Sequence, residues 1–447
     1  MLRRLRFSVI LAVAVVVLAA CSPSPTTSPG GGGSSPGTDS SPGADGGQDL
    51  SGTTVTVLGA FRDVEAERFD ESVAAFEEET GVDVQYEGTG EFETLINTRV
   101  EAGDAPDAAF VPQPGLVNRF ADHGNLVPLP ESVVANIDAN YGPGWKEIGT
   151  GADGNVYGVF HRVNVKGLVF YPRPAFEEAG YEVPETWEDL QALQDQMVAD
   201  GTAPWCIGIE SAEATGWVGT DWTEEIMLRT AGPDVYDQWV GHEIPFNDQT
   251  VIDALNMVGE IWLNDDYVSG GTDFIASTAF QDAPTPMFDD PPGCYLHNQG
   301  NFITGFFPEE VQEVLDEEVG IFTLPAINEE FGTPVMVGGD QLVMFEDRPE
   351  VVAFIEYLTT PAAGETWAQL GGALFPYSDQ DLALYPSELE RSIAQILVDA
   401  DSARFDGSDA MPPEVGNGTF WAGIVDWVTG TPTEEVLQTI EDSWPTD

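Results

Sequence analysis

Residues 53–112, TTVTVLGAFRDVEAERFDESVAAFEEETGVDVQYEGTGEFETLINTRVEAGDAPDAAFVP, alternate strand and helix signals. The β-branched run TTVTVL predicts a strand, and the helical spacing of Phe69, Val73 and Phe76 predicts the helix that follows it. GVDVQYEG and APDAAFVP predict two more strands, separated by a helix over FETLINTRVEAG. This β-α-β-α-β order predicts a mostly parallel sheet.

Three loops follow these predicted strands, at 59–65, 88–92 and 112–115. Parallel sheets bind ligands at the carboxyl ends of their strands, so we expect the loops to line a cleft. The candidate ligand contacts that they supply are Arg62, Asp63, Glu91 and Gln113.

The charge balance of the 447-residue chain is strongly acidic. Its 77 acidic residues stand against 15 basic ones, which gives a formal net charge of −62, and its only lysines are Lys146 and Lys166. Such a surface repels nucleic acids and anionic lipid headgroups, which excludes nucleic acid as a partner. A saline medium is the favoured explanation; compositional drift toward Asp and Glu is the alternative.

The first residues have the layout of a signal peptide. Three arginines precede the apolar run 7–20, which is too short to cross a bilayer comfortably. Leu-Ala-Ala-Cys at 18–21 resembles the lipobox of bacterial lipoproteins, which implies a signal peptide at 1–20 and a lipid-anchored Cys21. An ordinary secretory signal with a chance cysteine is the alternative. Residues 21–52, rich in Gly, Ser and Pro, predict a flexible tether.

Two further cysteines, Cys206 and Cys294, form an even pair in an oxidising compartment. A disulfide between them is favoured over two buried thiols. Neither lies in a CxxC motif, and the four histidines are widely separated, so we expect no metal site and no cofactor.

GVFHRVNVKGLVFYPRPAFEEAGYEVPETWEDL, residues 158–190, resembles the family 1 extracellular solute-binding proteins of ATP-binding-cassette sugar importers. In those proteins a strand crosses here from the first lobe to the second. The stretches at 103–115, 335–367 and 418–444 resemble other segments of that family. PWCIGIESAEATGWVGTDW (204–222) and GCYLHNQGNF (293–302) resemble the maltose and alpha-glucoside type.

The resemblance implies an α/β fold of the two-lobed type II periplasmic-binding-protein class. Each lobe would be a mostly parallel sheet flanked by helices, with the ligand cleft between them. Lobe one is expected at 53–161 plus 336–372, and lobe two at 162–335 plus 373–447. Closure on a ligand would be a hinge motion.

The function implied is capture of a small carbohydrate ligand on the extracytoplasmic face of the membrane. The protein would act as a lipid-anchored monomer that delivers a neutral oligosaccharide, with an alpha-glucoside favoured, to membrane permease subunits. Two alternatives are a secreted glycoside hydrolase and a receptor for peptides or other solutes on the same fold. No GxSxG, HExxH or GKS/GKT motif supports an enzyme.

Sugars require aromatic faces for stacking and paired polar groups for their hydroxyls. GWVGTDW (216–222), predicted as a loop, offers two tryptophans and an aspartate, with core packing as the alternative for the tryptophans. Glu210 is predicted to end a strand over CIGIE (206–210) and corresponds in position to a ligand carboxylate of the maltose type; a solvated acid at the end of a strand is the alternative. Tyr295, His297 and Gln299 are predicted in a polar loop after Cys294. The candidate contacts in these stretches are Trp217, Asp221, Trp222 and Gln299. Further candidates are Gly339, Asp340, Phe420 and Trp421. For Asp340 the alternative is that it only fixes the hinge, and of Phe420 and Trp421 we expect one to face the cleft and the other the core.

Two features depart from the maltose-type pattern. The loop after AAFV has no tryptophan or acid where that family often carries one, and Arg62 stands where a lysine is frequent. Both leave the identity of the sugar open.

Overall fold

The computed structural model describes residues 49–142, 144–400 and 402–445. The predicted signal peptide, Cys21 and residues 21–48 of the predicted tether lie outside the described residues. Within the described part, no helix combines the length and apolar character that crossing a membrane requires.

The described chain contains ten strands and eighteen α-helices. The strands are β1 (Thr54–Gly59), β2 (Asp83–Gly88), β3 (Ala108–Val111), β4 (Gly158–Val165), β5 (Leu168–Pro172), β6 (Ala203–Trp205), β7 (Cys294–Gln299), β8 (Val319–Thr323), β9 (Val335–Met344) and β10 (Ala403–Phe405). The helices are α1 (Val64–Thr80), α2 (Phe92–Ala102), α3 (Pro114–Asp122), α4 (Glu131–Asn140), α5 (Trp145–Ile148), α6 (Arg173–Glu178), α7 (Trp187–Asp200), α8 (Trp217–Thr230), α9 (Pro233–Val240), α10 (Gln249–Trp262), α11 (Glu309–Gln312), α12 (Leu315–Glu318), α13 (Pro349–Leu358), α14 (Pro361–Leu370), α15 (Glu388–Asp399), α16 (Gly407–Ala410), α17 (Trp421–Val428) and α18 (Thr433–Glu441).

The first sheet has the strand order β10-β9-β3-β1-β2, and β4 pairs with β9 as well. β1 is parallel to β2 and β3, and β9 is parallel to β10, whereas β9 runs antiparallel to β3 and β4. The predicted β-α-β-α-β order of residues 53–112 is confirmed. The apolar side chains Phe69, Val73 and Phe76 of α1 are buried as their spacing predicts.

The second sheet has the order β6-β7-β5-β8, and only β6 and β7 are parallel. The second sheet is therefore largely antiparallel, whereas we expected a mostly parallel sheet in this lobe. The reason lies in the hinge: β5 carries the chain away from the first sheet, and β8 returns it toward β9. Strands that lead away from and back to the same hinge run in opposite directions when they pair.

The chain first passes between the sheets at Lys166 and Gly167. Gly167 has a φ of 72°, and a side chain there would collide with the carboxylate of Glu225. The lobe limits stay a prediction, and two strands of the first sheet extend into ranges assigned to lobe two. β4 remains in the first sheet to Val165, beyond the limit at residue 161, and β10 pairs in that sheet although it lies in 373–447.

Cys206 and Cys294 form a disulfide, with their Cα atoms 5.6 Å apart, so this prediction is confirmed. Cys206 directly follows β6, and Cys294 begins the neighbouring parallel strand β7. Both cysteines are buried. The bridge therefore fastens the segment before α8 to the second sheet.

Candidate functional site

A cleft of about 180 Å³ lies between the two lobes. The loops after β1, β2 and β3 line it from the first lobe, as their position at the carboxyl ends of those strands predicts. Strands β4 and β9 contribute from the hinge, and the amino end of α8 contributes from the second lobe.

Arg162 of β4 forms the centre of an ion-pair network at the first lobe. Its Nε donates to Asp340 Oδ2 of β9 at 3.0 Å, and its Nη1 donates to Glu65 of α1. Burial raises the pKa of Asp340, and the Arg162 guanidinium opposes that rise. The guanidinium carbon lies 4.4 Å from the centre of the Phe61 ring. These contacts fix the polar groups on this side of the cleft.

Lys166 forms a second network where the chain leaves the first sheet. Its Nζ donates to Asp221 Oδ1 at 2.9 Å and also to Asp406, which directly follows β10. Burial by itself lowers the pKa of Lys166, but the Asp221 and Asp406 carboxylates outweigh it and hold that pKa well above its ordinary value. Lys166 is therefore a charged ammonium that joins three parts of the chain.

Aromatic rings form the wall of the cleft in the second lobe. Trp217, the first residue of α8, lies with its ring centre 5.1 Å from that of Phe280 and 6.0 Å from that of Phe302. Phe306 extends this group through Phe280, and Trp421 lines the cleft as well. Such faces bury apolar surface and can stack on the C–H face of a sugar ring.

Three buried polar atoms of the cleft have no hydrogen-bond partner among the described residues: Gln113 Oε1, Asn164 Oδ1 and Trp421 Nε1. Their residues are only 2%, 6% and 5% exposed. Leaving a buried polar group unpaired costs roughly 1–3 kcal/mol. Hydroxyl groups both donate and accept, so a polyhydroxylated ligand carries the kind of group that such atoms need.

Seven of the predicted contacts line this cleft, namely Arg62, Asp63, Gln113, Trp217, Gly339, Asp340 and Trp421. Arg62 has no carboxylate partner within the described ranges, so its guanidinium is available to a ligand. Asp221 does not line the cleft, and its carboxylate pairs with Lys166.

Trp222 and Phe420 lie in the core rather than in the cleft. GWVGTDW is not a loop, since α8 begins at Trp217. Trp222, five residues later, points to another face of this helix. Its ring packs 5.0 Å from Trp205 and 5.8 Å from Trp262. Phe420 is fully buried, whereas its neighbour Trp421 lines the cleft, so the predicted division between these two residues holds.

Tyr295, His297 and Gln299 lie in β7 and not in a polar loop. The pairing of this strand with β5 and β6 buries all three side chains. His297 Nδ1 lies 2.9 Å from the Cys206 carbonyl oxygen, and burial lowers the pKa of His297 to about 4. The neutral ring donates from Nδ1 to that carbonyl. Gln299 Oε1 accepts from the Gly300 N–H at 2.9 Å.

Glu91 and Glu210 lie outside the cleft lining. Glu91 is exposed at the amino end of α2. Glu210 does not end a strand, because β6 stops at Trp205, and its Oε1 accepts from the Ala212 N–H at 2.9 Å. The Glu210 carboxylate therefore organises the local turn.

Several charged and polar residues of the cleft were not among the predicted contacts. Arg162 and Asn164 of β4 and Lys166, directly after this strand, follow at every second position, which is the spacing of residues on one face of a strand. That alternation was the available signal. The other charged residues of the lining that were not predicted are Glu65, Glu93, Asp406 and Asp409.

A metal site is not formed by the described residues: no three or more His, Cys, Asp or Glu side chains among them are placed to hold an ion. The cleft chemistry there consists of aromatic faces, ion pairs and unpaired hydrogen-bonding atoms.

The model of the bacterial extracellular solute-binding protein family matches residues 63–365. The chain is 47% identical over 405 residues to the osmoprotective compounds-binding protein GgtB of Synechocystis sp., covering 90% of this chain and 95% of that protein. It is 41% identical over 406 residues to the alpha-glucosides-binding periplasmic protein AglE of Rhizobium meliloti, covering 89% and 88%.

Solved structures share the fold at lower identity. The bacterial solute receptor AcbH superposes with a TM-score of 0.75 at 21% identity, covering 88% of this chain and 97% of that one. The GacH receptor of Streptomyces glaucescens gives a TM-score of 0.67 at 16% identity, covering 88% and 97%. These likenesses support the two-lobed α/β architecture.

Proposed function

Because the chain belongs to the family of bacterial extracellular solute-binding proteins, we propose that it is the substrate-binding component of an ATP-binding-cassette importer. It captures a neutral glycoside, with an alpha-glucoside favoured, and its lobes close on the ligand by a hinge motion. It then delivers the ligand to membrane permease subunits. We further propose that it works as a monomer, held at the extracytoplasmic face of the membrane by a lipid on Cys21.

The observation that carries this proposal is the composition of the cleft. The cleft is lined by an aromatic wall around Trp217 and by Gln113, Asn164 and Trp421, each of which carries a buried polar atom without a partner among the described residues. A sugar presents an apolar ring face and a rim of hydroxyl groups on one small molecule. It therefore matches both parts of the lining at once.

The names of two relatives support the ligand class. One is named for osmoprotective compounds and the other for alpha-glucosides, and each relative aligns with about nine-tenths of this chain. An alpha-glucoside ligand is consistent with the second of these names.

The alternatives differ in what they require of the site. The family consists of binding proteins, so membership speaks against a glycoside hydrolase. A peptide would need partners for its backbone N–H and C=O groups along an extended path. The aromatic wall supplies few such partners, which favours the glycoside.

A thermal-shift screen of maltose, trehalose, sucrose, glucose and a set of short peptides tests the proposal. A sugar at about 100 times its dissociation constant adds roughly 2.7 kcal/mol of stability and raises the melting temperature. The Trp217→Ala variant should lose most of that shift. A shift with peptides alone, or recovery of hydrolysed sugar after incubation, would overturn the proposal.

A further inference from the structure

A turn of the second lobe touches the first lobe directly. Residues 210–215 form this turn, and Glu213 projects from it to the amino end of α2. The backbone N–H of Thr94 donates to Glu213 Oε1 at 3.1 Å, and the Thr94 hydroxyl donates to Glu213 Oε2. Thr94 is the third residue of α2, so its N–H has no partner within the helix. A carboxylate at this position also interacts favourably with the helix dipole.

The turn is braced by its own hydrogen bonds. Glu210 Oε1 accepts from the Ala212 N–H at 2.9 Å, and Thr215 Oγ1 accepts from the Ser211 N–H at 3.0 Å. The Thr215 hydroxyl in turn donates to the Ala212 carbonyl oxygen at 2.7 Å. Ala212 holds a left-handed φ of 52°. The backbone that carries Glu213 is therefore held in place, so little backbone entropy is lost when the lobes meet.

The contact adjoins the cleft. Ser211 and Ala214 of the turn line the cleft, and so do Thr89 and Gly90, which precede α2. The two lobes approach closely here, since a β-carbon placed on Gly90 would lie 3.5 Å from that of Ala212. No chain crossing passes through this contact, so it exists only while the lobes are together.

We propose that Glu213 is a positioning residue for ligand capture: it fastens the turn 210–215 to α2 in the closed form and thereby slows ligand release. The inference rests on the proposed function in one respect, since it takes the lobes to close around a ligand. It goes beyond that function by assigning part of the closure energy to a contact that does not involve the ligand.

A neighbouring carboxylate makes this contact sensitive to pH. Glu93 accepts from Gln113 Nε2 at 2.8 Å and lies beside Glu213. Burial raises the pKa of Glu93 to about 7, and Glu213 adds to the rise. The other charged groups that face this site are Asp409, after β10, and Arg62, whose guanidinium approaches Gly90.

The sign of the effect follows from this raised pKa. When the lobes separate, Glu93 returns toward its ordinary pKa of about 4.3. The closed form therefore binds a proton more tightly than the open form does. Closure therefore weakens as the pH rises through about 7, so release should slow on mild acidification.

Amide hydrogen exchange tests the contact without any ligand. In the ligand-free protein, Glu213→Ala should speed exchange of the Thr94 amide, because Glu213 is its only acceptor among the described residues. Glu182→Ala is the matched control, since Glu182 is an exposed acid of the second-lobe segment and carries the same charge. The comparison is made without ligand and again with saturating maltose or trehalose, and unchanged exchange at Thr94 in Glu213→Ala under both conditions would overturn the proposal.

Stopped-flow tryptophan fluorescence with maltose and trehalose tests the consequence for release. Glu213→Ala should dissociate about tenfold faster with little change in association, because charge-assisted hydrogen bonds are lost from the closed form alone. Release from the unmodified protein should slow between pH 7.5 and 5.5, and Glu213→Gln should weaken this pH dependence without abolishing it, because burial is the main cause of the raised pKa of Glu93. Equal dissociation rates in Glu213→Ala and Glu182→Ala would contradict the inference. Failure of both sugars to bind would count against the proposed function, while the exchange measurement would still decide the role of Glu213.

Discussion

At the scale of single residues, the two lysines of the chain lie in opposite environments. Lys166 is buried between Asp221 and Asp406, whereas Lys146 pairs with Asp138 at the surface with 36% of its side chain exposed. Taking charges out of water is costly, and the cost is recovered only while each charge keeps its partners. The two lysines therefore allow a direct comparison of a buried and an exposed ion pair within one protein.

Replacing Lys166 with methionine should lower the free energy of unfolding by about 3–5 kcal/mol, because Asp221 and Asp406 would remain buried without a cation. Lys146→Met should cost under about 1 kcal/mol, as exposed pairs usually do. Urea denaturation of both variants measures the difference. Equal losses would show that the Lys166 network contributes no more than a surface pair.

The two tryptophans of α8 offer a second comparison. Trp222 is 1% exposed in the core, so Trp222→Ala should lower the free energy of unfolding by about 3–5 kcal/mol. Trp217→Ala should destabilise less, yet weaken sugar binding by about tenfold or more, since the stacking face is lost. Thermal unfolding and isothermal titration with the sugar found in the screen separate the two effects. Retained affinity in Trp217→Ala would remove this ring from the site.

At the scale of elements, strand β4 shows which part of the site the sequence could have disclosed. Arg162, Asn164 and Lys166 alternate with apolar residues, and this alternation predicts one polar face. What the alternation could not disclose is the partner of each side chain. Asp340 and Asp406 are distant in sequence and reach β4 only through β9 and the segment after β10.

Helix α8 shows the opposite limitation. In GWVGTDW (216–222), Gly216, Gly219 and Asp221 disfavour a helix by propensity, so the sequence predicts a loop. Tertiary packing overrides that preference: Gly219 lies against Ile424 and Trp262, where a β-carbon would not fit without rearrangement. Gly219 is thus required for the packing of α8 and does not indicate a turn.

The disulfide between Cys206 and β7 should contribute to stability mainly through the unfolded chain. It links residues 88 positions apart, and bridges typically stabilise by about 2–4 kcal/mol. The double variant Cys206→Ala/Cys294→Ala should lose about that amount while its affinity for sugar changes little, since neither cysteine lines the cleft.

A thiol-reactive probe should label neither Cys206 nor Cys294 of the native protein until reductant is added. Labelling of both without reductant would contradict the bridge.

At the scale of the whole molecule, the sequence predicts the first lobe better than the second. The order β1-α1-β2-α2-β3 follows from local periodicity, and the ligand loops follow from that order. The second sheet depends on the pairing of β5 with β7 and with β8, and more than a hundred residues of chain separate β5 from either partner. No local pattern records that pairing, so its largely antiparallel arrangement emerges only in the structure.

The net charge of −62 is a property of the whole chain, and it predicts that stability rises with salt. Folding concentrates like charges, and 15 basic residues are too few to pair with 77 acids. Sodium chloride shortens the screening length from about 10 Å at 0.1 M to about 3 Å at 1 M, which weakens repulsion between surface neighbours. The melting temperature should therefore increase steadily between 0.1 and 2 M sodium chloride.

A charge-reduced variant separates this screening from general effects of salt on apolar burial. Glu78 and Glu79 are exposed in the last turn of α1, where no basic residue is present and the helix dipole disfavours acids. Glu78→Gln/Glu79→Gln should melt higher than the unmodified protein at low salt, and the difference should shrink as chloride is added. If the difference stays constant up to 2 M, the salt effect does not arise from repulsion at this pair. A melting temperature that is flat or falls with chloride in the unmodified protein would show that its acids are dispersed well enough not to oppose folding, and the inference of a saline habitat would fall with it.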